Sequence, residues 1–403
     1  MSIKLKCLSH TPLRGLNDPG AEVVKEVDDI LARSRAEVEA FDPELIVVFA
    51  PDHYNGLFYD LMPPFVIATA AESVADYQTL PGPLSIPRDL ALEMTKFILD
   101  QDVDIALSHR LQVDHGCTQT LEELTGSLTR YPVIPIIINS VAPPFGPYRR
   151  VRKLGEAVGK FLATLNKRVL ILGTGGLSHE PPVPLLSGAP DEIANFLIAG
   201  RNPTPEARAT RQARTVAAGK IYGTDACAQT PLNEEWDLAF IDLLTSRRLA
   251  EVDDFRIDEI SKAAGRSTHE IRTWVAAFSA LAAMGPYAAR QDYYRAINEW
   301  IAGYGVVSAE QLAQGTASYN YEQASGNEQE LPGLSVFYRN PQGEIFHTYS
   351  TYARGLDLLL GAYNFLDLTP KGRNEEQIMG WVRHHDRYQA TPQGKSSSCC
   401  CDD

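Results

Sequence analysis

Short apolar runs recur along the first 182 residues, and stretches with helical periodicity separate them. Four of the runs have the length and the β-branched content of buried strands. They are Ile3–Leu8, Leu45–Phe49, Val133–Ile138 and Val169–Leu172. Three intervening stretches carry an apolar face at helical spacing. They are Glu22–Phe41, Arg88–Leu99 and Tyr148–Leu165. This alternation predicts an α/β fold, namely a three-layer domain with a largely parallel central sheet.

From Asp191 to Gln314 the pattern changes to nearly continuous helix. The predicted helices are Pro205–Tyr222, Glu235–Ala250, Ile257–Met284 with a break at residues 264–266, and Asp292–Tyr304. No change of composition precedes these segments. We therefore expect them to form a helical C-terminal layer of the same domain.

The composition first changes near Gly315, where the chain becomes polar and aperiodic. Beyond it, Leu334–Tyr338 and Ile345–Tyr349 flank Pro341-Gln342-Gly343, which predicts a β-hairpin. Arg354–Leu366 has the pattern of a helix, and Lys395–Asp403 has the composition of a disordered end. The sequence thus predicts a main domain over residues 1–314, a small α+β tail over 315–390 and a disordered terminus over 391–403.

Charge and composition exclude several classes of function. Of the 403 residues 44% are hydrophobic and 22% charged, as in soluble globular proteins. The net charge of −14 argues against a nucleic-acid partner and against an anionic membrane. No apolar run approaches 18 residues and no signal peptide is evident, so a cytoplasmic location is expected. None of the six cysteines has the spacing of a zinc ribbon or a redox pair.

Histidines mark the ends of the predicted strands. His10, His53 and His179 each follow an apolar run closely, and His115 lies in a glycine-containing loop beside Asp114. A single histidine in a loop is more often structural than functional. Strand ends of one parallel sheet converge, however, so these side chains are expected to share one site. Neutral imidazole binds iron, zinc and copper, and it also transfers protons near pH 7.

An iron site of the kind that uses two histidines and one carboxylate also needs an acid. Asn233-Glu234-Glu235-Trp236-Asp237 is the best candidate segment, because it combines acids with an aromatic residue where a helix begins. An acidic first turn favoured by the helix dipole explains the same acids equally well. Asp52 and Asp114 compete for the role, although each adjoins a histidine that it could orient instead.

Five motifs together resemble the class III extradiol ring-cleaving dioxygenases, over about residues 1–314. They are Leu8-Ser9-His10-Thr11-Pro12, Pro51-Asp52-His53-Tyr54, Val113-Asp114-His115-Gly116, Gly175-Gly176-Leu177-Ser178-His179-Glu180-Pro181-Pro182 and Asn233-x-Glu235-Trp236-Asp237. The glycine–histidine block and the Asn-x-Glu-Trp-Asp block in this order are specific to the family.

The resemblance implies Fe(II) held by His10, His53 and Glu235, with His115 and His179 as acid and base. Glu234 remains an alternative to its neighbour as the metal ligand. His179 would take a proton from a catechol hydroxyl, and His115 would supply one after oxygen has attacked the ring. The implied substrates are O2 and a catechol, namely 2,3-dihydroxyphenylpropionate and 2,3-dihydroxycinnamate. The family also implies a homo-oligomer, a tetramer or larger.

Such substrates carry a carboxylate that a cation would bind. Arg149, Arg150 and Arg201 are candidates, although each is more readily explained as a solvated surface residue. Two other functions are compatible with the histidines: a zinc hydrolase, and a non-enzymatic binding protein on the same fold. The tail resembles the end of an uncharacterised bacterial thioredoxin-like family in segments such as Asn364–Arg373, and it is assigned no activity.

Overall fold

The computed structural model describes residues 2–312, 334–339, 345–350 and 382–383. The chain divides into two compact units, Met1–Gln311 and Leu312–Asp403. Among the described residues, no helix combines the length and the apolarity that a bilayer crossing requires.

The first unit contains eleven strands and nine α-helices. The strands are β1 (Ser2–Leu8), β2 (Leu45–Ala50), β3 (Phe65–Ala68), β4 (Ala71–Ser73), β5 (Gly82–Pro83), β6 (Ala106–Ser108), β7 (Leu111–Val113), β8 (Val133–Ile138), β9 (Arg168–Thr174), β10 (Tyr287–Ile297) and β11 (Ala302–Gln311). The helices are α1 (Ala21–Phe41), α2 (Arg88–Asp100), α3 (His115–Thr125), α4 (Tyr148–Leu162), α5 (Asp191–Ala199), α6 (Pro205–Gly219), α7 (Glu234–Thr245), α8 (Ile257–Ala264) and α9 (Arg272–Ala282). Short 3₁₀ helices cover Asp76–Gln78, Leu249–Asp254, Arg266–Ile271 and Asn298–Trp300.

Eight strands form the central sheet in the order β10-β11-β1-β9-β2-β8-β3-β6. The four in the middle, β1, β9, β2 and β8, run parallel to one another. β11 is antiparallel to β1, and β3 is antiparallel to β8. The predicted α/β class with a largely parallel sheet is therefore confirmed. The carboxyl ends of β1, β2 and β9 meet at one edge of the sheet, which is where parallel α/β folds bind ligands.

Two hydrophobic cores cover the two faces of this sheet. Along β2, Val47 and Phe49 face the core formed with α2, α4, α7 and α9, whereas Ile46 and Val48 face the core formed with α1 and α3. This alternation follows from the two-residue period of a strand and produces the three layers. On the first face α4 lies very close to α9: a Cβ on Gly159 would stand 2.1 Å from the carbonyl oxygen of Ala280.

One predicted helix is wrong. Residues 292–304 were expected to be helical, but they belong to an antiparallel hairpin formed by β10 and β11. Tyr293 and Tyr294 in β10, and Gly303 and Gly305 in β11, favour strand over helix. Pairing of β11 with β1, almost 300 residues earlier in the chain, supplies the deciding context. The other predicted helices of this layer are present, including the break between α8 and α9.

In the second unit, β12 (Leu334–Arg339) pairs antiparallel with β13 (Ile345–Ser350), which confirms the predicted hairpin. A short strand, β14 (Val382–Arg383), pairs with the other edge of β12. The helix predicted over residues 354–366 and the terminus predicted to be disordered lie outside the described residues.

Candidate active site

The site is built on the carboxyl ends of the parallel strands. His10 lies two residues after β1, and His53 lies three residues after β2. His179 follows β9 through a glycine-containing segment, and His115 is the first residue of α3. Asp114 caps that helix, because its carboxylate accepts the N–H of Gly116 at 3.0 Å. The structure therefore brings all four predicted histidines to one place.

The carboxylate that meets these histidines is that of Glu270. Its Oε1 lies 3.1 Å from Nε2 of His53 and 3.2 Å from Nε2 of His179. Its Oε2 lies 3.4 Å from Nε2 of His10 and accepts the N–H of Gly176 at 2.9 Å. Glu270 is 1% exposed, at the end of the 3₁₀ helix that precedes α9.

Contrary to its predicted role as a metal ligand, Glu235 does not take part in this cluster. Both Glu234 and Glu235 are exposed on the first turn of α7. Negative side chains at this position complement the amino end of the helix, which is the alternative explanation that the sequence left open. The sequence missed Glu270. The feature that could have indicated it is the acid in Ser267-Thr268-His269-Glu270, because this polar segment interrupts a mostly apolar helical stretch.

A third acid of the same motif, Asp237, is buried and forms hydrogen bonds with the segment that carries His179. Its carboxylate accepts the N–H and the hydroxyl of Ser178, at 2.7 and 2.6 Å, and the hydroxyl of Tyr294 at 2.7 Å. Burial raises the pKa of Asp237 to about 6, against the lowering effect of these hydrogen bonds. Because Ser178 precedes His179, this network fixes the segment that presents the histidine.

A second layer of hydrogen bonds orients each ring. Nδ1 of His10 lies 2.8 Å from the hydroxyl of Thr174, and Nδ1 of His179 lies 2.8 Å from the carbonyl of Leu177. Asp114 accepts the backbone N–H of His53 at 2.8 Å and lies 3.3 Å from its Nδ1. Asp114 thus orients a histidine, which is the role that the sequence analysis gives as the alternative to metal binding.

Asp76 holds His115 in the same way, with 2.6 Å between its Oδ2 and Nδ1 of the ring. The sequence did not single out Asp76. It lies between residues with left-handed backbone, since φ is 52° at Ala75 and 47° at Tyr77. Such conformations are unfavourable for residues with a side chain, and they often occur at functional sites. The ring of His115 stacks on that of His53, with centroids 4.5 Å apart.

Burial and charge act in opposite directions on the buried groups. Burial lowers the pKa of His10 to about 3, and the charge of Glu270 offsets this only in part. Burial would also lower the pKa of His53, but Asp114 and Glu270 outweigh it and raise the pKa well above its usual value. The pKa of His179 rises because Glu270 likewise outweighs burial. Burial would raise the pKa of Glu270, yet the charges of His179 and His53 hold it well below its usual range.

The donor set fits a transition-metal ion. His10, His53 and His115 offer ligand atoms that lie within 4.8 Å of one another, and Glu270 adds a buried carboxylate. Within the described residues, no lysine or arginine forms an ion pair with Glu270, so its negative charge faces imidazoles alone. Buried imidazoles around one carboxylate are the ligands of a two-histidine, one-carboxylate site.

The cluster lines a cavity of about 490 Å³, a size that suits a small organic molecule. Apolar side chains such as Val141, Ile193 and Phe196 also line it. The arginines proposed from sequence lie elsewhere. Arg149 is exposed on α4, Arg150 pairs with Asp104 and Arg201 pairs with Asp60; none of the three lines this cavity. The arginines that do line it are Arg208, Arg211 and Arg214 of α6.

Comparison with known proteins agrees with this geometry. Residues 4–305 match the family described as the catalytic LigB subunit of aromatic ring-opening dioxygenase. Residues 258–388 match a bacterial protein family of unknown function, DUF899, which covers the tail segments singled out from sequence.

Relatives named 2,3-dihydroxyphenylpropionate/2,3-dihydroxicinnamic acid 1,2-dioxygenase align with the first unit. The one from Azotobacter vinelandii is 85% identical over 310 residues, which is 77% of this chain and 99% of that protein. The one from Xanthobacter autotrophicus is 81% identical over 311 residues, with 77% and 99% covered. The one from Paraburkholderia phymatum is 54% identical over 309 residues, with 77% and 98% covered.

Proposed function

Since the chain belongs to the family of the catalytic LigB subunit of aromatic ring-opening dioxygenases, we propose that it cleaves 2,3-dihydroxyphenylpropionate, and 2,3-dihydroxycinnamate, by extradiol addition of O2. Both oxygen atoms end in the ring-opened product. The observation that carries the proposal is the convergence of His10, His53 and His179 on Glu270, with His115 stacked alongside, at one end of an apolar cavity. The names of the relatives support the choice of substrate.

The proposed metal is Fe(II), held by His10, His53 and Glu270. Held by three protein side chains, such an ion would be able to bind a catechol and dioxygen together and would supply the electron transfer that the spin-forbidden reaction of O2 requires. Glu270 is preferred to Glu235 because it is buried among the histidines. Hydrogen bonds to Thr174 and Asp114 orient His10 and His53 so that Nε2 of each ring faces the carboxylate.

His179 is proposed as the base. Its Nδ1–H donates to the carbonyl of Leu177, which leaves Nε2 directed into the site and able to accept a proton from a catechol hydroxyl. The buried network of Asp237 and Ser178 holds the preceding backbone, so the ring keeps this orientation.

His115 is proposed as the acid. Asp76 accepts the Nδ1–H of its ring at 2.6 Å, so Nε2 is the atom available to the cavity. His115 and His53 stack at an interplanar angle of 19°, which places the acid beside the metal end of the site. From there it can deliver a proton to an oxygen of the substrate as the ring opens.

The direct test is anaerobic loading with Fe(II), addition of 2,3-dihydroxyphenylpropionate, and admission of air. We expect a yellow ring-opened product with iron and none with zinc. His115→Ala and His179→Ala should each lower turnover about 10²–10⁴-fold while iron remains bound. His109→Ala is the matched control, because this histidine is exposed and does not line the cavity. Stoichiometric iron without cleavage of any catechol would contradict the proposal.

We further propose that the chain works as a cytoplasmic homo-oligomer of four or more copies, which the resemblance to the dioxygenase family supports. Light scattering of the full chain tests the assembly. A monomer that retains full activity would contradict it.

A further inference from the structure

Cationic side chains of one helix line part of the cavity that also holds the histidine cluster. Arg208, Arg211 and Arg214 are spaced by three residues along α6, and all three line the cavity. Residues at this spacing lie on the same side of a helix. We call these three residues the arginine wall.

The arginine wall has no anionic partner within the described part of the chain. Arg208 and Arg211 both donate to the same neutral atom, Oδ1 of Asn55, at 3.3 and 2.9 Å. Other arginines of this acidic protein, such as Arg152 and Arg168, pair with carboxylates. Three like charges on one face repel one another, so their grouping is unfavourable until an anion binds between them.

The acids that line the same cavity leave the wall unpaired. Asp76 is engaged with His115, and Glu270 with the histidine cluster. Glu192 of α5 also lines the cavity but is exposed, and among the described residues it forms no ion pair with the wall. The ring of Phe196 also lines the cavity, and the guanidinium of Arg211 lies over it, 5.1 Å from its centroid. The cavity is therefore lined by the histidine cluster, which we call the histidine end, by apolar side chains, and by the arginine wall, which we call the cationic end.

We propose that the arginine wall binds the carboxylate of the substrate's side chain and so selects catechols that carry an acidic chain. This inference rests on the proposed function. A planar guanidinium binds a carboxylate through two parallel hydrogen bonds, and the stacking on Phe196 holds that plane in place.

Asn55 links the wall to the histidine end. Its Oδ1 accepts from the arginines, while its Nδ2 donates to Oδ2 of Asp114 at 2.9 Å and to the carbonyl of His53 at 3.2 Å. Asn55 therefore couples the position of Arg211 to that of Asp114 and His53.

The experiment compares an acidic and a neutral catechol of the same shape, 2,3-dihydroxyphenylpropionate and 3-propylcatechol. In Arg211→Gln and Arg214→Gln we expect kcat/KM for the acid to fall about 10- to 100-fold, mainly through KM. For the neutral catechol the change should stay within about threefold. Arg214→Gln removes no hydrogen bond of the described structure, so it separates charge from positioning. Arg149→Gln is the matched control, because this residue of α4 is exposed and does not line the cavity.

A second measurement needs neither metal nor turnover. Calorimetry with 3-phenylpropionate and 3-phenylpropan-1-ol should show that only binding of the acid depends on the wall. Equal losses for acidic and neutral ligands, or unchanged binding of the acid in both variants, would overturn the inference. If the wild type cleaves no catechol yet binds 3-phenylpropionate through Arg211, the proposed function fails and the carboxylate site stands.

Discussion

The two ends of the cavity are built in different ways. The histidine end stands on strands buried on both faces, and each of its rings has a hydrogen-bonded partner behind it. The cationic end stands on α6, where Gly219 is the only fully buried residue. Proton transfer needs fixed geometry, whereas binding a flexible side chain tolerates movement. In our proposals, the chemistry therefore belongs to the buried sheet, and recognition of the substrate belongs to the more exposed helix α6.

Glu270→Gln tests the histidine end most directly and should have the largest effect. Loss of the carboxylate removes the charge that faces three imidazoles, so we expect iron to be lost on desalting and turnover to fall by about 10³-fold or more. Iron content and oxygen uptake measure the two effects. Glu235→Gln is the matched control and should remain within about twofold of wild type. If the two variants exchanged behaviour, the assignment of Glu270 would be wrong.

Gly176→Ala should disable the same end without removing any functional group. A Cβ at this position would lie 2.5 Å from the ring of His179, so the ring must move. We expect turnover to fall about 10²–10³-fold, because misplacement of a base lowers catalysis steeply. Gly146→Ala is the control, since its Cβ would meet only Arg150, at 4.0 Å. Unchanged kcat in Gly176→Ala would show that the histidine end is more adaptable than we infer.

Asp237→Asn should remove the pH dependence of the stability that residue 237 contributes behind the histidine end. The folded protein keeps a proton on Asp237 up to about pH 6, whereas the unfolded chain releases it near 3.8. Stability from this group is therefore fully present below pH 3.8 and is lost as the pH rises through 6. The stability of wild type minus that of the variant should fall by about 1–3 kcal/mol between pH 4.5 and 7.5.

Urea unfolding of both proteins at each pH measures this difference, and the comparison cancels the titration of all other groups. A constant difference across this range would contradict the raised pKa of Asp237.

Ala213→Gly probes the cationic end and should have the smallest effect. Glycine in an exposed helix interior costs about 1 kcal/mol. Because α6 buries little, this cost should appear as faster amide exchange within α6, with β9 unchanged. Ala36→Gly in α1 is the matched control. There Val27, Ile30 and Leu31 pack on the sheet, so local opening should change much less. If amide exchange became faster by the same factor in α6 and α1, the inferred difference in rigidity between the two ends would be wrong.

The sequence predicted the histidine end well, because the determinants there are local. Apolar runs identify buried strands. A histidine directly after such a run therefore lies at the carboxyl edge of the sheet. His10, His53 and His179 could therefore be located without a structure. Their convergence followed from the parallel arrangement alone.

The carboxylate and the arginines depend on contacts that the sequence does not display. The acids and the tryptophan next to Glu235 in sequence are compatible with a metal ligand, but they are equally compatible with the acidic first turn of a helix. Glu270 becomes a site residue only because its 3₁₀ helix packs behind β9, where its backbone crowds Gly175. Arg208 and Arg211 reach the cavity through the position of α6, which is set by contacts far apart in sequence. The β10–β11 hairpin was missed for the same reason.

The pairing of β1 with β11 bears on how this chain is made. Lys4 lies opposite Glu310 and Leu8 opposite Val306, so one edge of the first strand pairs only with the last ten residues of its unit. During synthesis that edge of β1 offers unpaired N–H and C=O groups while some 300 residues are added. His10, two residues beyond β1, reaches its final surroundings late. The order of events on the ribosome thus places assembly of the histidine end after nearly all of the first unit has been translated.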